Sequence, residues 1–287
     1  MEFKDTGGKT PEGHVTDTKC KPDITAAFTE HWKPGGSTLW PCIRLTGEKA
    51  SKGKNKDIRE KQAISYLHYH LLSRPDFHVV QGLFTTETGI AFLLGVGGDG
   101  VRSLKVPWRS DGLYKLIYAF VYRLYEPGDF ADKSYVKMSP NLDDGVVSYT
   151  VRITATQQVG DKAGERPIEC PDFVPVSARN PFEARTHVLS NPNSDIMIGN
   201  KRMTVLKDQL CRLGSRFDEH VILSRVHSPE AVPGVVEMVY KEVINIQFLG
   251  VARAKYRTGL VQSGLPFMDI STLQQMLEIA FDTLEVG

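Results

Sequence analysis

Apolar positions recur along this chain with two periods, one near 3.6 residues and one of two, and the changes between them mark out its elements. From Asp57, an N-cap with Glu60 three residues on, Ile64, Leu67, Leu71 and Leu72 share one face until Pro75 ends the run, which predicts a helix. A second helix is predicted from Asp111 to Tyr125, where Leu113, Leu116, Ile117, Phe120, Val121 and Leu124 recur at i, i+3, i+4 before Pro127-Gly128. That spacing reads as a core helix. GSRFDEHVILSRVH predicts a third. STLQQMLEIAFDTL predicts a fourth, opened by Ser271 and Gln274 as a capping box and carrying an apolar stripe from Leu273 to Leu284.

Short apolar or alternating runs predict strands: LWPCIRL, HVVQGLF, GIAFLLGV, VRSLKVPW and VVSYTVRITAT, then Arg185 to Leu189, IMIG, MTVLKD, VPGVVEMVY, VINIQFL and YRTGLVQ. Residues 1–20 are polar and rich in Gly, Thr and Lys, and read as a flexible tail. From Gly160 to Asn180, Gly, Pro and charge gather, and this stretch reads as a linker. The predicted fold class is therefore α+β: an N-terminal α/β domain over 21–160, a linker over 161–180, and an antiparallel sheet with helices over 181–287.

Composition narrows the classes without choosing among them. With 287 residues, 41% hydrophobic and 24% charged, the chain has the make-up of a globular protein with ample core material. A formal net charge of +1 supplies no global field for nucleic acid or an anionic membrane, so neither is an expected partner, and an unknown protein is. Cys20, Cys42, Cys170 and Cys211 are far apart and form no CxxC pair, which argues for reduced thiols in an intracellular protein. MEFKDTGGKTPEGH has no apolar h-region, and no apolar run reaches the ~20 residues of a membrane span.

Several motifs have a plain reading. The run EKASKGKNKDIREK reads as a solvated loop feeding a helix. His68 and His70 are two apart on a helix, so they point to different faces and cannot jointly hold a metal. GVGGDG matches G-x-G-x-x-G, but a dinucleotide fingerprint must open a helix; here a β-like segment follows, and the turn of a hairpin is predicted.

The second half carries a more specific order: strand, strand, strand with Lys207, helix with Asp218 and Glu219, strand, strand, helix. In the first lobe of a protein kinase, a strand lysine contacts the nucleotide phosphates and a glutamate on the next helix holds it. The series KPDI, RLTGEKASKGK, QAISYLHYHLLSRPD, IYAFVYRLYEPGDFADKSYV, VLKD, GSRFDEHVIL and VPGVV resembles the fungal-type protein kinase family, in order and from about Lys21 onward. The resemblance implies an N-terminal α/β domain joined to a serine/threonine-type kinase lobe with ATP as ligand, Lys207 as the phosphate-contacting lysine and Glu219 as its partner.

Two departures shape the expected activity. The nucleotide-covering loop should be glycine-rich, yet the matching stretch PFEARTHVLS has no glycine, and Arg185 is the charge that would compensate. The chain ends at TLEVG, before the HRD, its asparagine and the DFG aspartate of the family. Asp76-Phe77, Asp129-Phe130 and Asp172-Phe173 precede Lys207 and cannot serve as that DFG. The Mg²⁺ ligands are then missing, and the expectation is a truncated, pseudokinase-like chain without phosphoryl transfer.

A rival chemistry sits in the first half. Pro22-Asp23, then Glu48 on a strand, then Gln62 on a helix outline a PD-(D/E)xK nuclease core, whose acids bind Mg²⁺ and whose lysine steadies the attacking water. Ala50 stands where that lysine belongs, leaving Lys49 or Lys52 as displaced substitutes, so a degenerate nuclease or an unrelated binding module is expected.

Overall fold

In the computed structural model most of the predicted strand segments form strands, Trp40–Cys42 of LWPCIRL being a short 3-10 turn instead, and three of the predicted helices form among the described residues, giving an α+β protein dominated by sheet. The structure describes all residues except 8, 17, 51–55, 160–161, 213–218, 227–235 and 262–287, and leaves out the side chains of 156–164, 212, 219–220 and 251 as well.

The first sheet has six strands in sequence order: β1 (Glu2–Asp5), β2 (Ile24–Ala27), β3 (Ile43–Lys49), β4 (Val79–Thr85), β5 (Gly89–Val96) and β6 (Gly100–Pro107). Only β3 and β4 run parallel, because α1 (Lys56–Ser73) crosses between them. Helix α1 buries Ala63, Leu67 and Leu71 against Val80, Phe84, Ala91 and Leu93. On the other face, α2 (Leu113–Tyr125) sets Leu124 and Phe120 against Ala26 and Leu45, and Leu113 against Ile90 and Phe92.

The second sheet is built from β7 (Tyr135–Asn141), β8 (Val146–Val159), β9 (Lys162–Arg179), β10 (Arg185–Ser190), β13 (Val205–Arg212), β14 (Met238–Phe248) and β15 (Val251–Leu260), in the order β14-β15-β13-β10-β9-β8-β7. All its pairings are antiparallel. A two-strand ribbon of β11 (Met197–Ile198) and β12 (Lys201–Arg202) sits in the β10–β13 connection, and α3 (Glu219–Val226) precedes β14. The two sheets share apolar core, Val79 and Val96 of the first meeting Leu210 and Phe248 of the second around Phe130.

Three expectations change. Residues 1–20 are not all tail: β1 pairs with β2, and Thr6 donates its hydroxyl to the Pro22 carbonyl at 2.8 Å. An edge strand held by backbone hydrogen bonds needs no apolar pattern, which is why its polar composition hid it. The predicted linker is the interior strand β9, paired to β8 on one side and β10 on the other. Only Cys170, Phe173 and Ala178 of its described side chains are buried, so its composition looks like loop while its ladder is sheet. The predicted core helix α2 buries only Leu113 and Leu124, and Leu116 and Ile117 are each 38% exposed.

Candidate functional site

Lys207 lies mid-strand on β13, opposite Val188 of β10 and Thr258 of β15. Alternation sends these three side chains to one face and His187, Asp208 and Arg257 to the other. The sheet order also brings the β14–β15 hairpin, which follows α3, back beside the Lys207 strand. Glu219 opens α3, and its side chain is outside the described residues, as is the predicted helix over 271–284.

The turn between β9 and β10 is held down on the first sheet. Pro181 accepts a hydrogen bond from the Gly98 amide at 2.9 Å, and the Phe182 ring meets His68 edge-on at 5.7 Å. Arg185 does not face an open cleft as a compensating charge. It is buried, its Nη2 donating to the Arg74 carbonyl at 2.5 Å and its Nη1 to that of Phe77. The GVGGDG segment is the β5–β6 turn, and its glycines permit this docking. A Cβ on Gly97 would lie 2.9 Å from Arg185 Nη1, and Gly98, at φ +71°, places its missing Cβ 3.0 Å from the Glu183 carbonyl.

The acids of the first half do come together. Asp23 Oδ2 accepts from the Lys49 amide at 3.1 Å, so it lies beside Glu48 at the end of β3. Glu48 is fully buried, and Arg59 from the start of α1 donates to its Oε1. Gln62 sits 3.4 Å from the same guanidinium and donates to Tyr66 Oη at 2.6 Å, which donates on to the Lys21 carbonyl at 2.7 Å. Burial pushes the Glu48 carboxyl above its ordinary value; the Arg59 hydrogen bond opposes this and the nearby Asp23 adds to it. Glu48 Oε2 is buried with no hydrogen-bond partner among the described residues. Ala50 packs against the α1 core, Lys49 is exposed, and Lys52 is outside the described residues. The described arrangement is thus two acids, one of them engaged by arginine, without a lysine to steady water. Among the described residues no group of three or more metal-ligating side chains occurs.

A larger charged cluster, absent from the sequence expectations, lies across the second sheet. Arg257 donates to both oxygens of Asp208, at 2.7 and 2.5 Å, and its Nη1 reaches the Arg152 carbonyl at 3.0 Å. Tyr135 Oη also donates to Asp208, at 2.9 Å. Lys255 donates to Asp132 at 2.5 Å and to the Ser134 hydroxyl at 3.0 Å. Burial drives the Asp208 and Asp132 carboxyls up, but Arg257 for the first and Lys255 for the second outweigh it and hold both below the usual carboxylate range. The sequence did carry a signal, since Arg253, Lys255 and Arg257 alternate along β15 and so share one face of it. Such a run ordinarily reads as a solvated face.

Comparison with family models, curated proteins and solved structures finds no match for this chain. Chemistry must therefore be read from the geometry. The interior cluster leaves a cavity of about 20 Å³, room for about one water, and its ions are sealed and mutually satisfied. It is a structural network that ties β13 and β15 to β7, β8 and the segment before β7, across the second sheet. The thiols are no better placed for chemistry: none of the four is in a disulfide, and burial pushes Cys42 up to about 11 and Cys170 up to about 12, far from the thiolate that would react. No helix among the described residues is long and apolar enough to cross a membrane.

Proposed function

We propose that this chain is a non-catalytic binding module whose second half is built on a protein-kinase-like nucleotide lobe, a member of the fungal-type protein kinase family by resemblance. The kinase-like part of the reading is supported by element order: β9, β10, β13 with Lys207, α3 opening on Glu219, then a β14–β15 hairpin whose second strand pairs with the Lys207 strand.

The non-catalytic part rests on one observation. The turn that would cover the triphosphate is drawn to the face opposite Lys207 and fastened to the first sheet through Pro181, Phe182 and Arg185. A nucleotide-covering loop works by offering free backbone N–H groups to phosphate oxygens. Here the same stretch is anchored elsewhere and its guanidinium is spent on two backbone carbonyls.

Thermal-shift titration with Mg-ATP tests the reading. Ligand binding stabilises by RT ln(1 + [L]/Kd), so ~100-fold saturation would give about 2.7 kcal/mol. No shift is expected at millimolar Mg-ATP. A saturable shift that disappears in Lys207→Ala would show a working nucleotide site, and release of phosphate from that Mg-ATP would overturn the non-catalytic reading.

A further inference from the structure

Helix α2 does not lie flat on the first sheet. Between Leu116 and Phe120 of the helix and Phe92, Leu94 and Leu104 of β5 and β6 runs an open apolar groove of about 330 Å³. That volume is at the lower end for small-molecule sites. Its charged lining residues are two guanidiniums, Arg102 and Arg123, and no carboxylate lines it. Arg102 is engaged, donating to the Leu249 carbonyl at 2.8 Å and to Asp99 at 3.2 Å. Arg123 is held loosely, 3.5 Å from the Pro127 carbonyl and 3.7 Å from Asp129, and is 45% exposed.

Gln81 and Arg123 also form walls of a second, smaller cleft of about 10 Å³, which holds Arg44 and Arg74. Room of that size suits about one water-sized group. Arg74 is neutralised by Asp76 in a two-bond pair at 2.8 and 2.7 Å. Arg44 is not. Its guanidinium stands over the rings of Phe28 and Phe77, at 4.8 and 5.2 Å, and its buried Nε has no hydrogen-bond partner among the described residues. Burial, followed by repulsion from Arg74, brings Arg44 down to about 10, the direction of a cation short of counter-charge.

We propose that the groove under α2 binds a free aliphatic carboxylate, its chain lying along Phe92, Leu104 and Leu116 and its head group meeting Arg123 at the entrance to the Arg44 cleft. Apolar walls leading to the loosely held Arg123, with Arg44 behind it in no ion pair among the described residues, ask for a ligand with an apolar body and an anionic end, and a planar carboxylate matches the guanidinium fork. The small cleft admits about one water, so an occupant of the groove ends at Arg123, which favours a small molecule over a polypeptide that must continue past it. None of the groove's lining residues lies on the Lys207 strand, so its failure leaves the non-catalytic reading standing.

The test is titration of the full chain with decanoate below its micelle concentration, beside decanol as the uncharged control. Saturable decanoate binding is expected, with decanol weaker by roughly tenfold, the ratio of one charge-assisted hydrogen bond. Arg123→Gln, at an exposed position that the fold tolerates, should erase most of that preference. Ala119→Trp, which fills the groove, should abolish binding of both, with circular dichroism confirming that each variant folds. Equal affinity for decanol, an unchanged preference in Arg123→Gln, or no decanoate binding would each overturn the proposal. Binding of an acidic, leucine-rich peptide in place of decanoate would also overturn it and give the groove to a protein partner.

Discussion

Glu48 in the first sheet and Asp208 in the second are both buried carboxylates paired to arginine, yet their proton affinities move in opposite directions. Asp208 accepts from Arg257 on both oxygens and from Tyr135, with Lys255 3.7 Å away. Glu48 has Arg59 on one oxygen, Asp23 nearby, and its second oxygen unpartnered among the described residues. Burial alone raises a carboxyl, and the number and sign of neighbours decide whether that rise survives. The difference teaches where each region has been settled: the Asp208 network inside the second sheet is complete in itself, and the Asp23–Glu48 corner is not.

The largest break in this comparison is expected at Arg257. Arg257→Met leaves Asp208 buried beside Lys255 and Tyr135 without its main counter-charge, and removing one partner of a buried pair costs about 3–5 kcal/mol. Urea denaturation should show that loss, and Arg257→Met with Asp208→Leu should recover part of it. A loss below about 1 kcal/mol would mean the network is solvated and does not lock β13 and β15 to β7 and β8.

Acid should act next. His187 Nε2 donates to the Leu72 carbonyl at 3.1 Å, and His70 Nε2 to that of Ile43 at 2.8 Å, both fully enclosed. Burial, then Arg185 for one and Arg74 for the other, bring both down to about 3, and burial brings His78 to about 4. Between those values and the ordinary 6.5, the unfolded chain binds protons that the folded chain refuses. Stability is therefore full above about pH 6.5 and falls as pH drops below it, by up to about 1.4 kcal/mol per unit for each histidine. Denaturation midpoints from pH 7 to 4 measure this slope. His187→Gln should flatten it by close to one proton, and an unchanged slope would place the titration elsewhere.

How much of this was legible in the sequence follows from which forces set each element. Strands β4, β5, β10 and β13 and helix α1 were readable because side-chain periodicity and burial agree there. Strands β1 and β9 were not, because backbone pairing holds them and few side chains report it. Helix α2 shows the converse: its spacing is that of a core helix, but only one line of it touches the sheet, and no local pattern reveals how flush a helix will lie. Asp23, Glu48 and Gln62 were named from spacing, and the structure does gather them. Their controlling partner, Arg59, looked like one more charge in a basic run. Asp208 stands beside Lys207 in sequence but is not legible as a site residue, since the face it shares with Arg257 is covered by Tyr135 and the Arg152 carbonyl from the far strands of the same sheet.

The smaller effects belong to the unfinished corner. Arg59 is 43% exposed, so its pair with Glu48 is partly screened, yet Glu48 itself has no route to water. Arg59→Met should cost about 1–2 kcal/mol at pH 7, the penalty of a buried group left without its partner. The loss should shrink toward pH 4, because Glu48 takes a proton and the protonated acid needs no cation. A pH-independent loss would show that Arg59 acts through its aliphatic stem instead.

Glu48→Gln is the last and finest test. The amide cannot ionise, so it removes the cost of burying charge, but it also weakens the bond from Arg59. A change within about 1 kcal/mol is expected at pH 7, because the charge given up was only half satisfied. The variant also separates two meanings of the empty oxygen. If Glu48 and Asp23 are a structural remnant, Mn²⁺ will stabilise neither the parent chain nor Glu48→Gln. If instead millimolar Mn²⁺ raises the melting temperature of the parent and not of the variant, the corner is a metal site that displaces Arg59, and the structural-remnant reading of Asp23 and Glu48 fails.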